Sequence, residues 1–219
     1  MVQLPGLSPS SGAEGEGLRR LGRSLGVALV IVVICVVIVG LDPFLLGVYR
    51  GFVPRSPILD AVAKAAVPLL EAPVVALFIL TYIVLIREDR RRRLVVLAGA
   101  MASQALLIDI LKSFFGRPRP ADVADQVLFL GPFASEWRSF PGGHATAAFT
   151  LAAILASWHP RWRWAFYGWA ALVALTRIHL DRHFPGDCFI GACVGYWIAQ
   201  CFLVYLGGRG RPEGQSSGP

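Results

Sequence analysis

Thr176-Arg-Ile-His-Leu-Asp-Arg-His-Phe-Pro-Gly-Asp187 sets two arginines, two histidines and two aspartates between two long apolar runs. A charged side chain at the centre of a bilayer costs roughly 2.5 to 3.5 kcal/mol even on the most lenient insertion scale. Residues of this kind between apolar runs therefore mark a membrane-water boundary at which they are used. The chain around them has 219 residues, 55% hydrophobic and 16% charged, with a mean hydropathy of +0.59. That composition excludes an ordinary soluble domain and predicts one membrane domain. The net charge of +7 is carried almost wholly by arginine, with lysine only at Lys64 and Lys112. Because the arginines cluster in short links between apolar runs, membrane topology accounts for the excess and nucleic acid is not expected as a partner. Cys35, Cys188, Cys193 and Cys201 lie in apolar runs without Cys-x-x-Cys spacing and read as packing residues, with no disulfide or zinc framework.

Working outward, Pro185 to Gly208 reads as the last of six apolar spans and Trp162 to about Leu180 as the fifth. Gly143 to Trp158 is the fourth, and the run from Leu94 to about Lys112 is the third, stopped by Gly116-Arg-Pro-Arg-Pro because each proline removes a donor. A second run lies between Lys64 and Arg87, interrupted by Glu71, and the first extends from about Ser24 to Leu41 as an uncleaved span. Residues 1–17 and 209–219 are polar and read as disordered cytoplasmic tails flanking a domain over 18–208. The segment from Arg117 to Gly142 holds no span, and its Phe129, Phe133, Trp137 and Phe140 suit a membrane interface. The expected fold is thus an all-α, six-helix integral membrane bundle.

Six spans put both termini on one side. Arg19, Arg20 and Arg23, Arg87 with Arg90 to Arg93, Arg161, Arg163, Arg209 and Arg211 all fall there, which makes it cytoplasmic. Lys112, Arg117, Arg119, Arg138, His144, Arg177, Arg182, His183 and Asp187 fall on the opposite, outer face, at the ends of the third to sixth helices.

Three segments meet at that face. Lys112 on a last helical turn and Arg119 behind it offer a point charge and a planar fork to a tetrahedral oxyanion. Pro141-Gly-Gly-His144 opens a helix whose free N–H groups suit phosphate, with Gly142 and Gly143 allowing close backbone approach and His144 beside the bound group as a proton donor. In the opening stretch, Arg177 ends one helix and Pro185 starts the next. His183 stands just before that start and Asp187 in its first turn, close enough for the carboxylate to take a proton from the imidazole and leave the other ring nitrogen as a nucleophile.

Lys112-x6-Arg119-Pro120, Pro141-Gly-Gly-His144 and Arg177-x5-His183-x3-Asp187 together resemble the three-part signature of the type-2 phosphatidic acid phosphatase superfamily of membrane lipid phosphatases. The resemblance runs from Lys112 to Asp187, in the family's order. It implies a phosphatase without metal or other cofactor, acting on a lipid phosphate or pyrophosphate such as undecaprenyl pyrophosphate at the outer face of a bacterial inner membrane, with phosphatidic acid, phosphatidylglycerol phosphate and lipid A phosphates as open alternatives. It further implies that His183 attacks phosphorus, Asp187 orients it and His144 protonates the leaving oxygen. Lys112, Arg119, Arg177 and the backbone of Gly142 and Gly143 are then the phosphate holders. The alternatives are a phosphotransferase using the same phosphohistidine, or a non-catalytic anion-binding or transport protein.

Two departures stand out. Thr176 replaces the usual serine and keeps a hydroxyl. Gly142 stands where the family normally has serine, and losing one hydrogen bond to a charged group costs about 1.5 to 3 kcal/mol. On this reading Gly142→Ser keeps or raises phosphate release. His179, four residues before His183, reads as a rim residue with Asp181 and Arg182, and no metal site is expected there. Asp109, a turn before Lys112, is expected to pair with it, and Glu71 with an arginine.

Overall fold

The computed structural model describes residues 33–70, 89–122, 129, 131–132 and 138–207. Both predicted tails, the start of the first predicted span, Glu71 and most of the second span, Phe133 and Trp137 lie outside the described residues. The described residues are mostly helical and contain no strand, only an isolated bridge between Arg117 and Arg138. Residues 33–40 form helix α1 (Val33–Gly40), in a unit of its own. The second unit begins at Leu41. It holds α2 (Asp42–Phe52), α3 (Pro57–Leu70), α4 (Arg90–Phe115), α5 (Gly143–Trp158), α6 (Arg163–His179) and α7 (Pro185–Gly207).

No helix was expected between Leu41 and Lys64. Yet α2 fills part of that stretch, and α3 starts well before Lys64, behind Ser56, whose Oγ accepts the Leu59 N–H at 3.1 Å as a helix cap. In α2, Asp42 and Leu46 are buried one turn apart while Phe44, Val48 and Phe52 point outward. A short helix with its apolar majority outward does not carry the inward periodicity by which helices are read.

The later helices follow the expected bounds closely, with an α5 of Gly143–Trp158 and a short 3-10 turn, Pro160–Trp162, leading into α6. α4 stops one step earlier than the prolines require. Gly116 takes the left-handed conformation at φ 54° and its N–H bonds Lys112 O at 3.2 Å, a glycine C-cap that frees Arg117 to leave in an extended direction.

α5 sits at the centre, packed by α4, α6 and α7, while α2 rests on α7 and α3 on α6. Val96, Leu97 and Ala100 of α4, Leu151 and Ile154 of α5 and Ile198 and Ala199 of α7 form one buried cluster. A second ties the elements beneath the polar face: Leu46, Ala145, Ala174, Ile178, Phe184 and Cys188. The α5–α7 contact is a backbone contact. A Cβ on Gly191 would lie 2.6 Å from Gly142 O, and one on Gly195 would collide with Thr146 O. Thr150 Oγ1 lies 3.2 Å from Gly195 O across the same seam. Small residues four apart thus let two helices touch where lipid provides no hydrophobic drive. Gly195→Ala is expected to lower the thermal unfolding midpoint in detergent by the equivalent of about 1–3 kcal/mol, the usual range for overpacking. An unchanged midpoint would show that the helices separate without penalty.

Arg90–Phe115 and Pro185–Tyr205 are long and apolar enough to cross a membrane, and a third candidate arises if Val33–Gly40 and Asp42–Phe52 count as one broken span. At 16 and 17 residues, α5 and α6 are shorter than the roughly 20 residues of a full span. Leu106, Ile110 and Phe114 of α4 and Phe189, Trp197 and Val204 of α7 face outward, as lipid-facing side chains do.

Candidate active site

The C-terminal ends of α4 and α6 and the N-terminal ends of α5 and α7 meet at one face, bringing together the residues of the three segments. The α5 N-terminus is set by Gly142, whose carbonyl accepts the Thr146 N–H at 2.9 Å and the Thr146 hydroxyl at 3.0 Å. The N–H groups of Gly143, His144 and Ala145 precede any intrahelical acceptor and mark the positive end of the helix. Lys112 Nζ reaches this point, 3.4 Å from where a Gly143 Cβ would stand. His144 is exposed and lies in electrostatic reach of Arg177, His183, Lys112 and Arg119. Arg177 is buried at the end of α6, and Arg119 keeps a buried Nε with no hydrogen-bond partner among the described residues.

His183 and Asp187 are buried, at 5% and 0% exposure, which makes their partners decisive. A direct imidazole-carboxylate hydrogen bond was expected. Instead His183 Nδ1 and Asp187 Oδ2 are 3.8 Å apart, beyond hydrogen-bond length, and Ser139 stands between them. Its Oγ donates to Asp187 Oδ2 at 2.6 Å and lies 3.4 Å from His183 Nδ1, so the hydroxyl bridges the pair. Asp187 Oδ2 also accepts the Phe184 N–H at 3.0 Å, closing the turn that carries His183. Burial holds the His183 imidazole below its ordinary value, against the opposing attraction of Asp187.

Asp187 Oδ1 bonds Arg117, which is fully buried and also pairs with Asp42 Oδ2 at 2.8 Å. The guanidinium stacks on Phe184 at 4.2 Å and Phe129 at 5.3 Å. Ser139 N–H bonds Arg117 O at 2.9 Å, so the two loop segments that flank the site hold each other.

Gly142 is also buried, and its role differs from the expected one. Its N–H already donates to Asp187 O at 2.9 Å and is not available to a ligand. A Cβ there would lie 2.9 Å from Asp187 O and 3.2 Å from both Asp187 C and Cys188 Cα. All three are backbone atoms, so a side chain at Gly142 requires the Asp187 backbone to shift. Gly143, one residue on, is the position whose N–H has no acceptor among the described residues.

Other expectations also change. Asp109 Oδ1 bonds Arg138 Nη2 rather than Lys112. His179 is not a rim residue: it is buried, with Nδ1 3.3 Å from the Tyr49 hydroxyl and Nε2 2.9 Å from Asp60 Oδ1. Asp181, at a positive φ of 50°, pairs with Arg50 and Arg55 from the α2–α3 region, while Arg182 is exposed. The four cysteines are free thiols, and no cluster of metal-ligating side chains occurs among the described residues. Ser139, Arg117 as a partner of Asp187, and Asp42 were not singled out from sequence. Ser139 and Arg117 sit beside recognised motif residues, whereas Asp42 carries no local signal.

A family model described as the PAP2 superfamily matches residues 93–211, more than half of the chain and all three segments. The chain belongs to the PAP2 superfamily. Among curated relatives, a lipid A 1-phosphatase of Rhizobium johnstonii is 36% identical over 111 residues, 46% of this chain and 46% of that protein. An undecaprenyl-diphosphatase of Sulfolobus acidocaldarius is 28% identical over 120 residues, 54% of this chain and 58% of that protein. The chain thus spans about half the length of the curated relatives it matches. Among solved structures, Aquifex aeolicus LpxE superposes with a TM-score of 0.59 at 28% identity, over 74% of this chain and 96% of that one. A transmembrane PAP2-type phosphatidylglycerolphosphate phosphatase of Bacillus subtilis gives 0.61 at 18% identity, over 84% and 98%, which shows a shared fold. With these PAP2 neighbours and its long apolar helices, the chain is an integral membrane protein.

Proposed function

We propose that this PAP2 protein removes phosphate from a lipid phosphate or pyrophosphate through a phosphohistidine at His183. The observation that carries the reading is the buried His183, its Nδ1 turned to Ser139 and Asp187, at a face where Lys112, Arg119, Arg177 and the α5 N-terminus converge. With Nδ1 engaged, Nε2 is the nitrogen that attacks phosphorus. The N–P bond forms as the P–O bond to the lipid breaks, and His144 gives the leaving oxygen its proton. Water then attacks the phosphoenzyme, His144 takes a proton from it, and the N–P bond breaks to release inorganic phosphate. Lys112, Arg119, Arg177 and the Gly143 N–H hold the phosphoryl oxygens, and the cations supply the charge stabilisation on which phosphoryl transfer mainly depends.

No step requires a metal. The active face lies at the outer leaflet of a bacterial inner membrane, with both termini cytoplasmic, in keeping with the positive-inside distribution of the arginines. The relatives' names favour an undecaprenyl diphosphate or a lipid A phosphate as substrate. The test is phosphate release by purified protein in EDTA from these two lipids, with phosphatidic acid and phosphatidylglycerol phosphate as comparisons. Release from at least one is expected, and no release from any in EDTA, with recovery on adding a divalent metal, would contradict the metal-free reading.

The depressed His183 basicity has a direct consequence. The nucleophile must be neutral, so lowering its pKa extends the neutral form to more acid pH. The acid limb of kcat/KM, which reports the unliganded enzyme, is expected to fall below the ordinary imidazole value of about 6.5. A limb at or above that value would show that burial does not set the protonation of the nucleophile.

A further inference from the structure

Asp42 lies in α2, outside the stretch matched by the family model, and none of the three segments contains it. It is nevertheless fully buried at the start of α7. Its Oδ1 accepts the Gly186 N–H, and its Oδ2 is 2.8 Å from Arg117 Nη1. A Cβ on Gly186 would lie 2.7 Å from both Asp42 oxygens, so the glycine leaves the space that the carboxylate occupies. Arg117 Nη1 serves two carboxylates at once, Asp42 on one side and Asp187 on the other, while Nε and Nη2 have no hydrogen-bond partner among the described residues. One nitrogen is therefore shared between a residue of the site and a residue far from it in sequence.

We infer that Asp42 is a positioning residue which, by competing for Arg117, limits how far that cation neutralises Asp187 and so sets the charge felt by His183. The inference rests on the phosphohistidine reading above. A buried charge in low dielectric acts strongly on its neighbours, and one cation divided between two anions neutralises neither fully. The groups that face His183 are Lys112 from α4, His144 from α5, Asp187 from α7 and Ser139 from the loop, with Arg177 of α6 beside His144. Of these, Asp187 alone is tied to the Arg117 guanidinium, Ser139 bonding only its backbone carbonyl, and Asp187 carries the influence of Asp42 to the imidazole.

The two directions of change are opposite. In Asp42→Asn the amide oxygen still caps Gly186, but the competing charge is gone. Arg117 settles on Asp187, the imidazole loses part of its anionic support, and the protonated form of His183 becomes less favoured. Because burial already favours the protonated form of the wild-type Asp42 carboxyl toward acid pH, the acid limb of kcat/KM moves to lower pH by roughly a few tenths of a unit, and kcat/KM falls severalfold because the nucleophile is less basic. In Asp42→Asn combined with Arg117→Gln, Asp187 keeps its full charge toward His183, and the limb moves above the wild-type position.

The experiment records kcat/KM against pH for both variants and wild type, with alkali-quenched phosphoenzyme measured alongside in wild type and His183→Ala. A purely structural Asp42 lowers the unfolding midpoint without moving the limb. Should the double variant not fold, Asp42→Asn decides alone, since it keeps the Gly186 hydrogen bond: a limb that stays in place or moves upward overturns the inference. If phosphoenzyme forms on wild-type His183 while the limb is unmoved, only the role of Asp42 fails. If no phosphoenzyme forms and His183→Ala still turns over, the phosphohistidine reading and this inference fall together.

Discussion

His183→Ala is expected to reduce phosphate release by a factor on the order of 10⁴ to 10⁶ in kcat, as when an enzyme loses its covalent nucleophile. Binding should survive. Lys112, Arg119, Arg177 and the α5 N-terminus are unchanged in the variant, so vanadate or inorganic phosphate should still occupy the face with near wild-type affinity. That split between turnover and binding separates the catalytic reading from an anion-binding or transport protein, in which the imidazole is dispensable. Phosphate release within tenfold of wild type would remove His183 from the mechanism, whatever the geometry around it.

Gly142→Ser carries the second large effect, and its sign separates two views of one residue. Seen as a missing hydroxyl, Gly142 is a weakness that serine repairs. Seen in the structure, it is a space filled by the Asp187 carbonyl, 2.9 Å from where a Cβ would stand. Inserting that Cβ must shift the backbone of Asp187, straining the Gly142 N–H to Asp187 O bond and displacing the carboxylate that orients His183. Misplacement by about 1 Å at a reacting centre can cost about a hundredfold. Gly142→Ser and Gly142→Ala are both expected to lower kcat roughly ten- to a hundredfold, by similar factors because the Cβ is common to both. A serine variant as active as wild type, or far more active than alanine, would restore the hydroxyl view. Gly191 belongs to the same device, since its own missing Cβ leaves room for Gly142 O at 2.6 Å.

The legible parts of the chain were those with a local cause. α5 and α7 begin where Gly143 and Pro185 sit because glycine and proline punctuate a chain regardless of what packs around it. Lys112, Arg119, His144, Arg177, His183 and Asp187 could be singled out because charge beside long apolar runs demands a use. What escaped reading depends on partners distant in sequence. α2 turns most of its apolar side chains outward, and Asp42 acquires meaning only when α7 and Arg117 are folded against it. Ser139 looks like any loop serine until it is found between His183 and Asp187. His179 has the spacing of a rim residue, but the arrival of Tyr49 and Asp60 buries it. Gly142 stands out in the sequence as a departure, but sequence shows which side chain is absent and not which backbone fills the space.

The central claim, covalent transfer of phosphate to His183, is tested most directly by trapping the intermediate. Purified protein in EDTA is mixed with a phosphate-labelled lipid substrate, quenched within a turnover and digested, and the labelled peptide is sequenced by mass spectrometry. The account predicts label on His183, stable to alkali and lost in acid, and absent from His183→Ala. Steady phosphate release with no label on His183 at any quench time would contradict it.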